Sequence, residues 1–164
     1  MQYASFEDGF RDIYPRLVRT LMVACGDREL SCDIAQEALA KGYANWKKVN
    51  ELEIPAAWVK KVAVNQLKDE FRKQAKRKTH ASDTLELSTI ETIEKSLPTP
   101  MAVDFSRALL ELPPQQRIAA ALSFVDDMSE SEIAHTMGIS KGSVKTHLHH
   151  ARNALGASLN VIEI

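Results

Sequence analysis

The sequence predicts an all-α protein made of two small helical domains, and three observations carry that expectation. Apolar residues recur at helical spacing along most of the chain, no stretch of useful length alternates as a strand does, and one window has no sustained apolar stripe. That window, residues 79–104, is rich in Ser and Thr, carries Pro98 and Pro100, and sets five acids against one base, Lys95. A segment of this kind buries too little apolar surface to offset its ordering entropy. It reads as a flexible linker, with room for a short helix, between domains at 1–78 and 105–164.

The first domain reads as helices in succession. Phe6, Phe10, Ile13, Leu17, Leu21 and Ala24 share one helical face. Pro15 lies within that run and is expected to kink the helix or divide it in two. Gly26 suits a stop, and Asp27 or Ser31 suits the cap of a second helix striped Ile34, Ala35, Ala38, Leu39, Tyr43 and Trp46. A loop over 49–55 follows. A third helix then runs from about 56 to 76, with Trp58, Val59, Val62, Ala63, Leu67 and Phe71 inward. Tyr43, Trp46, Trp58 and Phe71 fall on apolar stripes, so they are expected to pack rather than to stack on bases.

Three shorter helices are expected after the linker. Pro113 and Pro114 suit a helix start, where a missing N–H costs nothing, with Ile118, Ala119 and Leu122 inward. Ser129 and Glu132 form a capping box ahead of Ile133, Ala134 and Met137. Gly138 falls where a tight turn needs positive φ, and Ser140 caps a last helix striped Val144, Leu148, Ala151 and Leu155.

Composition narrows the function. The net charge of −1 excludes a globally basic, histone-like protein, and no apolar run approaches a membrane span. The N-terminus lacks a signal-peptide pattern, so a cytoplasmic protein is expected. Glycine-rich phosphate loops are missing, which leaves no nucleotide cofactor to expect. His135, His147, His149 and His150 lack a carboxylate or cysteine partner on the last helix, so no metal is expected. Cys25 and Cys32 are read as small buried hydrophobes rather than a redox pair. No catalytic arrangement supports an enzyme.

Charge is nevertheless segregated. Residues 60–78 carry eight bases against Asp69 and Glu70, and Lys61, Asn65, Lys68, Arg72 and Lys76 form one polar ridge opposite the apolar stripe. Such a ridge suits phosphate contacts plus one base edge, since Asn pairs bidentately with adenine. The stretch from Ser129 to Leu155 reads as a helix-turn-helix whose second helix enters the major groove. Its outward positions are Ser140, Lys141, Ser143, Lys145, Thr146, His149 and Arg152, with no acid between Lys141 and Arg152. Asp126, Asp127, Glu130 and Glu132 are expected to lie off that contact face.

These residues carry a family resemblance. DIAQEALAKGYANW (33–46) and IPAAWVKKVAVNQLKDEFRKQAKR (54–77) resemble sigma region two of the extracytoplasmic-function sigma factors of bacterial RNA polymerase. LLELPPQQRIAAALSFVDDMSESEIAHTMGISKGSVKTHLHHARNAL (109–155) is similar to their region four. A stand-alone helix-turn-helix regulator, the alternative reading, would match only the second. The resemblance implies a factor that directs core RNA polymerase to specific promoters and initiates transcription. Asp33, Gln36 and Glu37 would dock on the clamp helices of the largest polymerase subunit. The loop over 47–53 and the helix after it would hold the melted minus-ten strand with a base extruded, Asn65, Asp69 and Arg72 matching reading positions. Glu51 and Glu53 repel phosphate and are not obvious DNA contacts. The helix-turn-helix would read the double-stranded minus-thirty-five element. An anti-sigma factor is the implied inhibitor, and the membrane would be reached only through such a partner.

Overall fold

The computed structural model describes residues 3–78 and 99–159, and within them every regular element is a helix. The first half holds α1 (Phe6–Cys25), α2 (Arg28–Ala44), α3 (Trp46–Asn50) and α4 (Pro55–Lys78). The second holds α5 (Pro100–Leu110), α6 (Pro114–Phe124), α7 (Glu130–Met137) and α8 (Lys141–Leu159). Most of the expected linker, residues 79–98, lies outside the described residues. Its last part is helical, because α5 begins at Pro100 rather than after 104. The second half therefore has four helices where three were expected. The short helix that the linker window left room for is α5, which buries Ser106, Ala108 and Leu109 and leads into buried Leu112.

α1 runs unbroken through Pro15. Proline removes one ladder hydrogen bond, but Ile13, Leu17 and Leu21 are buried on either side of it and hold the axis against α2 and α6. Ser5 caps the helix by accepting from the Asp8 amide at 3.1 Å, and Gly26 closes it at φ 70°, donating to the Met22 carbonyl at 2.7 Å. Asp27, not Ser31, caps α2, accepting from Leu30 N at 3.0 Å. Ser31 is fully buried inside the helix, where its hydroxyl donates to the Asp27 carbonyl at 2.7 Å.

Trp46 starts the separate short helix α3 instead of extending α2. The turn that follows is fixed by Asn50, which donates to the Tyr3 carbonyl at 2.9 Å and accepts from the Tyr3 amide at 3.1 Å. This pair ties residues 51–54 to the start of the chain and sets where α4 begins. Tyr43, expected in the core, is 66 % exposed and meets Phe6 edge-on at 4.9 Å. It sits near the end of α2, where the stripe has turned past the neighbouring helix. Phe71 is buried as expected, while Trp46 and Trp58 are half-buried.

The second half matches its local signals closely. The Ser129–Glu132 capping box is formed in both directions, at 3.2 and 2.7 Å. Gly138 takes φ 68°, and Ser140 accepts from Ser143 N at 3.0 Å. Val144, Leu148, Ala151 and Leu155 are buried against α5, α6 and α7. The two halves pack against each other. α1 packs on α5 and α6, α4 packs on α6 and α7, and one apolar core runs from Ile13 to Leu155.

Gly9 shows how tight the first half is, since a Cβ there would lie 2.7 Å from the Trp46 ring. Gly9→Ala is expected to lower stability by about 1–3 kcal/mol, the usual range for overpacking, and chemical denaturation measures it.

Candidate nucleic-acid interface

α8 presents the clearest surface. Lys141, Ser143, Lys145, Thr146, His149 and Arg152 are all exposed, as is Ser140 just before the helix. The local chemistry explains their placement. Val144, Leu148 and Ala151 bury one side of α8, so the residues between them must face out. Several of these groups are held by short-range bonds. Ser140 Oγ donates to Ser143 Oγ at 2.9 Å, Thr146 Oγ1 donates to the Gly142 carbonyl at 3.1 Å, and His149 Nε2 lies 3.2 Å from Asn153 Nδ2. Arg152 lies over the Phe124 ring at 6.0 Å. Glu130 was expected to stay clear of this surface, yet it reaches Lys145 at 3.9 Å across the turn. The pair is solvent-exposed and worth little, so a phosphate can displace it.

The ridge on α4 is divided by what packs beside it. Asn65, Asp69, Arg72 and Lys76 are exposed, with Arg72 paired to Asp69 at 2.8 Å. Lys61 and Lys68 instead face the second half. Lys68 Nζ donates to the Met137 carbonyl at 2.7 Å, and Lys61 lines a cleft of about 900 Å³ between residues 52–58 and α7. Leu52 and Ile54, both exposed, form the outer lip of that cleft, and Met128, Glu132 and His135 form its far wall. At its edge Tyr3 donates to Asp12 Oδ2 at 2.6 Å. Burial, then that carboxylate, pushes the Tyr3 phenol up to about 12, which keeps it a neutral donor.

Asp33, Gln36 and Glu37 are exposed together on α2 because Ile34, Ala35 and Ala38 bury its other side. Glu37 reaches Lys41 at 3.8 Å, and Gln36 Nε2 lies 3.5 Å from the Tyr14 hydroxyl. Asp33 and Glu37 share a shallow depression of about 330 Å³ with Asp69 and Lys73 of α4. The fold thus brings one residue expected to read DNA beside two expected to contact polymerase. Sequence reasoning missed Thr20, Lys60 and Asp126, which meet between the halves, and no local signal marks them. Thr20 Oγ1 donates to Asp126 Oδ1 at 2.8 Å across 106 residues of sequence.

An exposed, acid-free helix ending a helix-turn-helix, joined to a helical half with a basic ridge, is the geometry of a DNA-binding protein. Two family models match the chain, Sigma-70 region 2 over residues 10–77 and Sigma-70, region 4 over residues 102–155. The chain is 31 % identical over 144 residues to the ECF RNA polymerase sigma factor SigL of Mycobacterium tuberculosis, covering 85 % of this chain and 80 % of that one. It is 27 % identical to the ECF RNA polymerase sigma factor SigW of Bacillus subtilis, covering 96 % and 88 %. The sigma factor RpoE of Bartonella quintana, solved with the anti-sigma factor NepR, shares the fold at a TM-score of 0.76 and 20 % identity, over 96 % of this chain and 98 % of that one. The chain belongs to the extracytoplasmic-function sigma factors, which direct RNA polymerase to promoters and initiate transcription.

One titration reports on the α8 surface. Burial, then the neighbouring His150 charge, holds His147 below its ordinary 6.5. The unfolded chain therefore binds this proton more readily, so the contribution is fully present above the unfolded value and is lost as pH falls from there through the lower folded value. An NMR titration of the imidazoles is expected to give His147 a depressed midpoint that rises in His150→Gln yet stays below 6.5, because burial persists.

Proposed function

We propose that the two halves divide promoter recognition between them, with α4 and residues 47–53 serving the melted minus-ten strand and α8 serving the minus-thirty-five duplex. The observation that carries this reading is the exposed face of α8, which offers Lys141, Lys145 and Arg152 with Ser143 and Thr146 between them and no acid of its own. Lysine and arginine supply phosphate contacts and guanine-edge donors, and hydroxyls reach either. On α4, Asn65 is the base-edge candidate, while Lys61, Lys68 and Lys76 are phosphate candidates and Arg72 reads or positions according to whether Asp69 holds it. The boundaries at 1–78 and 105–164 follow as functional domains, with α5 supplying a helical lead into the second.

Asp33, Gln36 and Glu37 form the polymerase contact in this reading. Their exposure on a helix whose other side is buried lets them change without disturbing the core. The protein acts by binding, supplying recognition to a polymerase that does the chemistry, and it works in the cytoplasm where promoter DNA lies. An anti-sigma factor is its inhibitor. Support for that partner comes from the Bartonella sigma factor of the same fold, which was solved with one bound.

Replacing Asp33, Gln36 and Glu37 together by Ala is expected to weaken binding to core polymerase while each change shifts stability by only about 0.5 kcal/mol. Co-purification with core enzyme and a denaturation curve read the two effects, and unchanged core affinity removes these residues from the interface. Run-off transcription over a promoter library tests the reading helix. Asn65→Ala is expected to change preference at single minus-ten positions by about 1–3 kcal/mol, whereas Lys76→Ala weakens all promoters alike and flattens the salt dependence. Equal losses on every promoter would make Asn65 a phosphate or structural residue.

A further inference from the structure

Between α3 and α4, four consecutive residues, Glu51, Leu52, Glu53 and Ile54, are exposed, while Asn50 before them and Pro55 after them are buried. Asn50 is a polar side chain at only 7 % exposure, and its carboxamide offers both a donor and an acceptor. Tyr3, 47 residues away, uses both. The Asn50 amide donates to the Tyr3 carbonyl at 2.9 Å, and its oxygen accepts from the Tyr3 N–H at 3.1 Å.

Tyr3 grips the other end of α3 as well. Its ring lies 6.1 Å from the ring of Trp46, the first residue of that helix. Gly9 makes room for both rings, since a Cβ there would lie 2.7 Å from Trp46 and 3.3 Å from Tyr3. The Tyr3 phenol is fixed on Asp12 at 2.6 Å, and Arg16 donates to the same carboxylate oxygen at 2.9 Å. α3 has five residues, too few to hold an orientation by its own ladder. Glu51 and Leu52 bond back onto it, through the Lys48 carbonyl at 3.3 Å and the Val49 carbonyl at 3.1 Å, so the exposed segment turns with that helix. A single residue ahead of α1 therefore sets both ends of α3, and α3 sets the segment that follows.

We propose that Asn50 is a positioning residue for minus-ten selectivity. Held by Tyr3, it fixes where residues 51–54 stand against the extruded base without touching DNA itself. The proposal rests on the assignment of residues 47–53 to the melted strand. Discrimination between bases requires contacts held to within about 0.5 Å, and side chains on an exposed segment reach that precision only when a supporting layer locks the backbone beneath them. Asparagine suits this place chemically. Leucine has a similar branched shape and makes neither bond, whereas aspartate keeps the acceptor, loses the donor and sets a carboxylate against the Tyr3 carbonyl.

Run-off transcription by holoenzyme reconstituted with core polymerase, over promoters varied singly in the minus-ten or the minus-thirty-five element, tests this. Asn50→Leu is expected to compress the preference among minus-ten variants by about tenfold, the scale of one lost base contact, and Asn50→Asp by less. Preference among minus-thirty-five variants and affinity for core polymerase are expected to stay at wild-type values. Hydrogen exchange at the Leu52 and Glu53 amides is expected to quicken several-fold in both variants. Tyr3→Ala removes the ring and phenol ahead of α1, leaves the helical core intact, and is expected to act in the same direction. Circular dichroism checks the helix content of each. Equal losses on every promoter in Asn50→Leu overturn the proposal, because a merely structural residue does no more than that. Wild-type minus-ten ratios in a folded Asn50→Leu overturn it too, and if that variant unfolds, the same result in Tyr3→Ala does so. The double variant Leu52→Ala, Glu53→Ala separates the two readings. Unchanged minus-ten preference there overturns the assignment of residues 47–53 and the positioning role with it, whereas a change there with none in Asn50→Leu overturns the positioning role alone.

Discussion

Ala35 and Ala38 on α2, Ala63 on α4 and Ala119 to Ala121 on α6 have essentially no exposed surface, and the helices of both halves approach one another across them. Interaxial distance is set by the side chains at the crossing, so small residues bring backbones close and leave the larger Leu21, Leu39, Leu67 and Leu122 to fill the space beside them. This spacing governs the rest of the molecule. It fixes the separation of α2 and α4, hence the depression shared by Asp33, Glu37 and Asp69. It also holds α6 against α1 and α4, which carries the helix-turn-helix to the side of the basic ridge.

Close packing on one side of each helix accounts for the exposure of functional groups on the other. α8 buries Val144, Leu148, Ala151 and Leu155, and its polar residues are left outward by geometry alone. The same holds for α2, where Ile34, Ala35 and Ala38 anchor the helix that displays Asp33, Gln36 and Glu37. Surfaces built this way have their backbone ordered before any partner arrives, so the ordering cost of association falls mainly on the side chains. On α4 the arrangement differs, because its polar ridge is flanked by a second packed body and part of it is engaged within the chain.

Polar contacts between the halves are few and chemically particular. Asp126 accepts from Thr20 through Oδ1 and pairs ionically with Lys60 through Oδ2, and Lys68 supplies a cation to the carbonyl end of α7, where the helix dipole favours it. Apolar contact makes the interface stable in a general way, whereas these bonds specify one relative placement.

Most helices were legible from local pattern, because period, caps and breakers act within a few residues. The capping box at Ser129, positive φ at Gly138 and the buried stripe of α8 needed nothing beyond the sequence. The exposed face of α8, expected from that stripe, was equally readable. Where local signals competed, tertiary context decided. Pro15 left α1 whole because burial on both sides outweighed one lost bond, and Tyr43 left the core because α2 ends before a partner covers it. Pro100 opened α5 in a window whose composition favoured a linker. Glu130 meeting Lys145, Lys68 meeting Met137 and Asp126 meeting Thr20 and Lys60 join residues 15 to 106 positions apart. No periodicity encodes such pairs. They exist only once the helices have packed, since the burial that makes them favourable is itself a product of the fold.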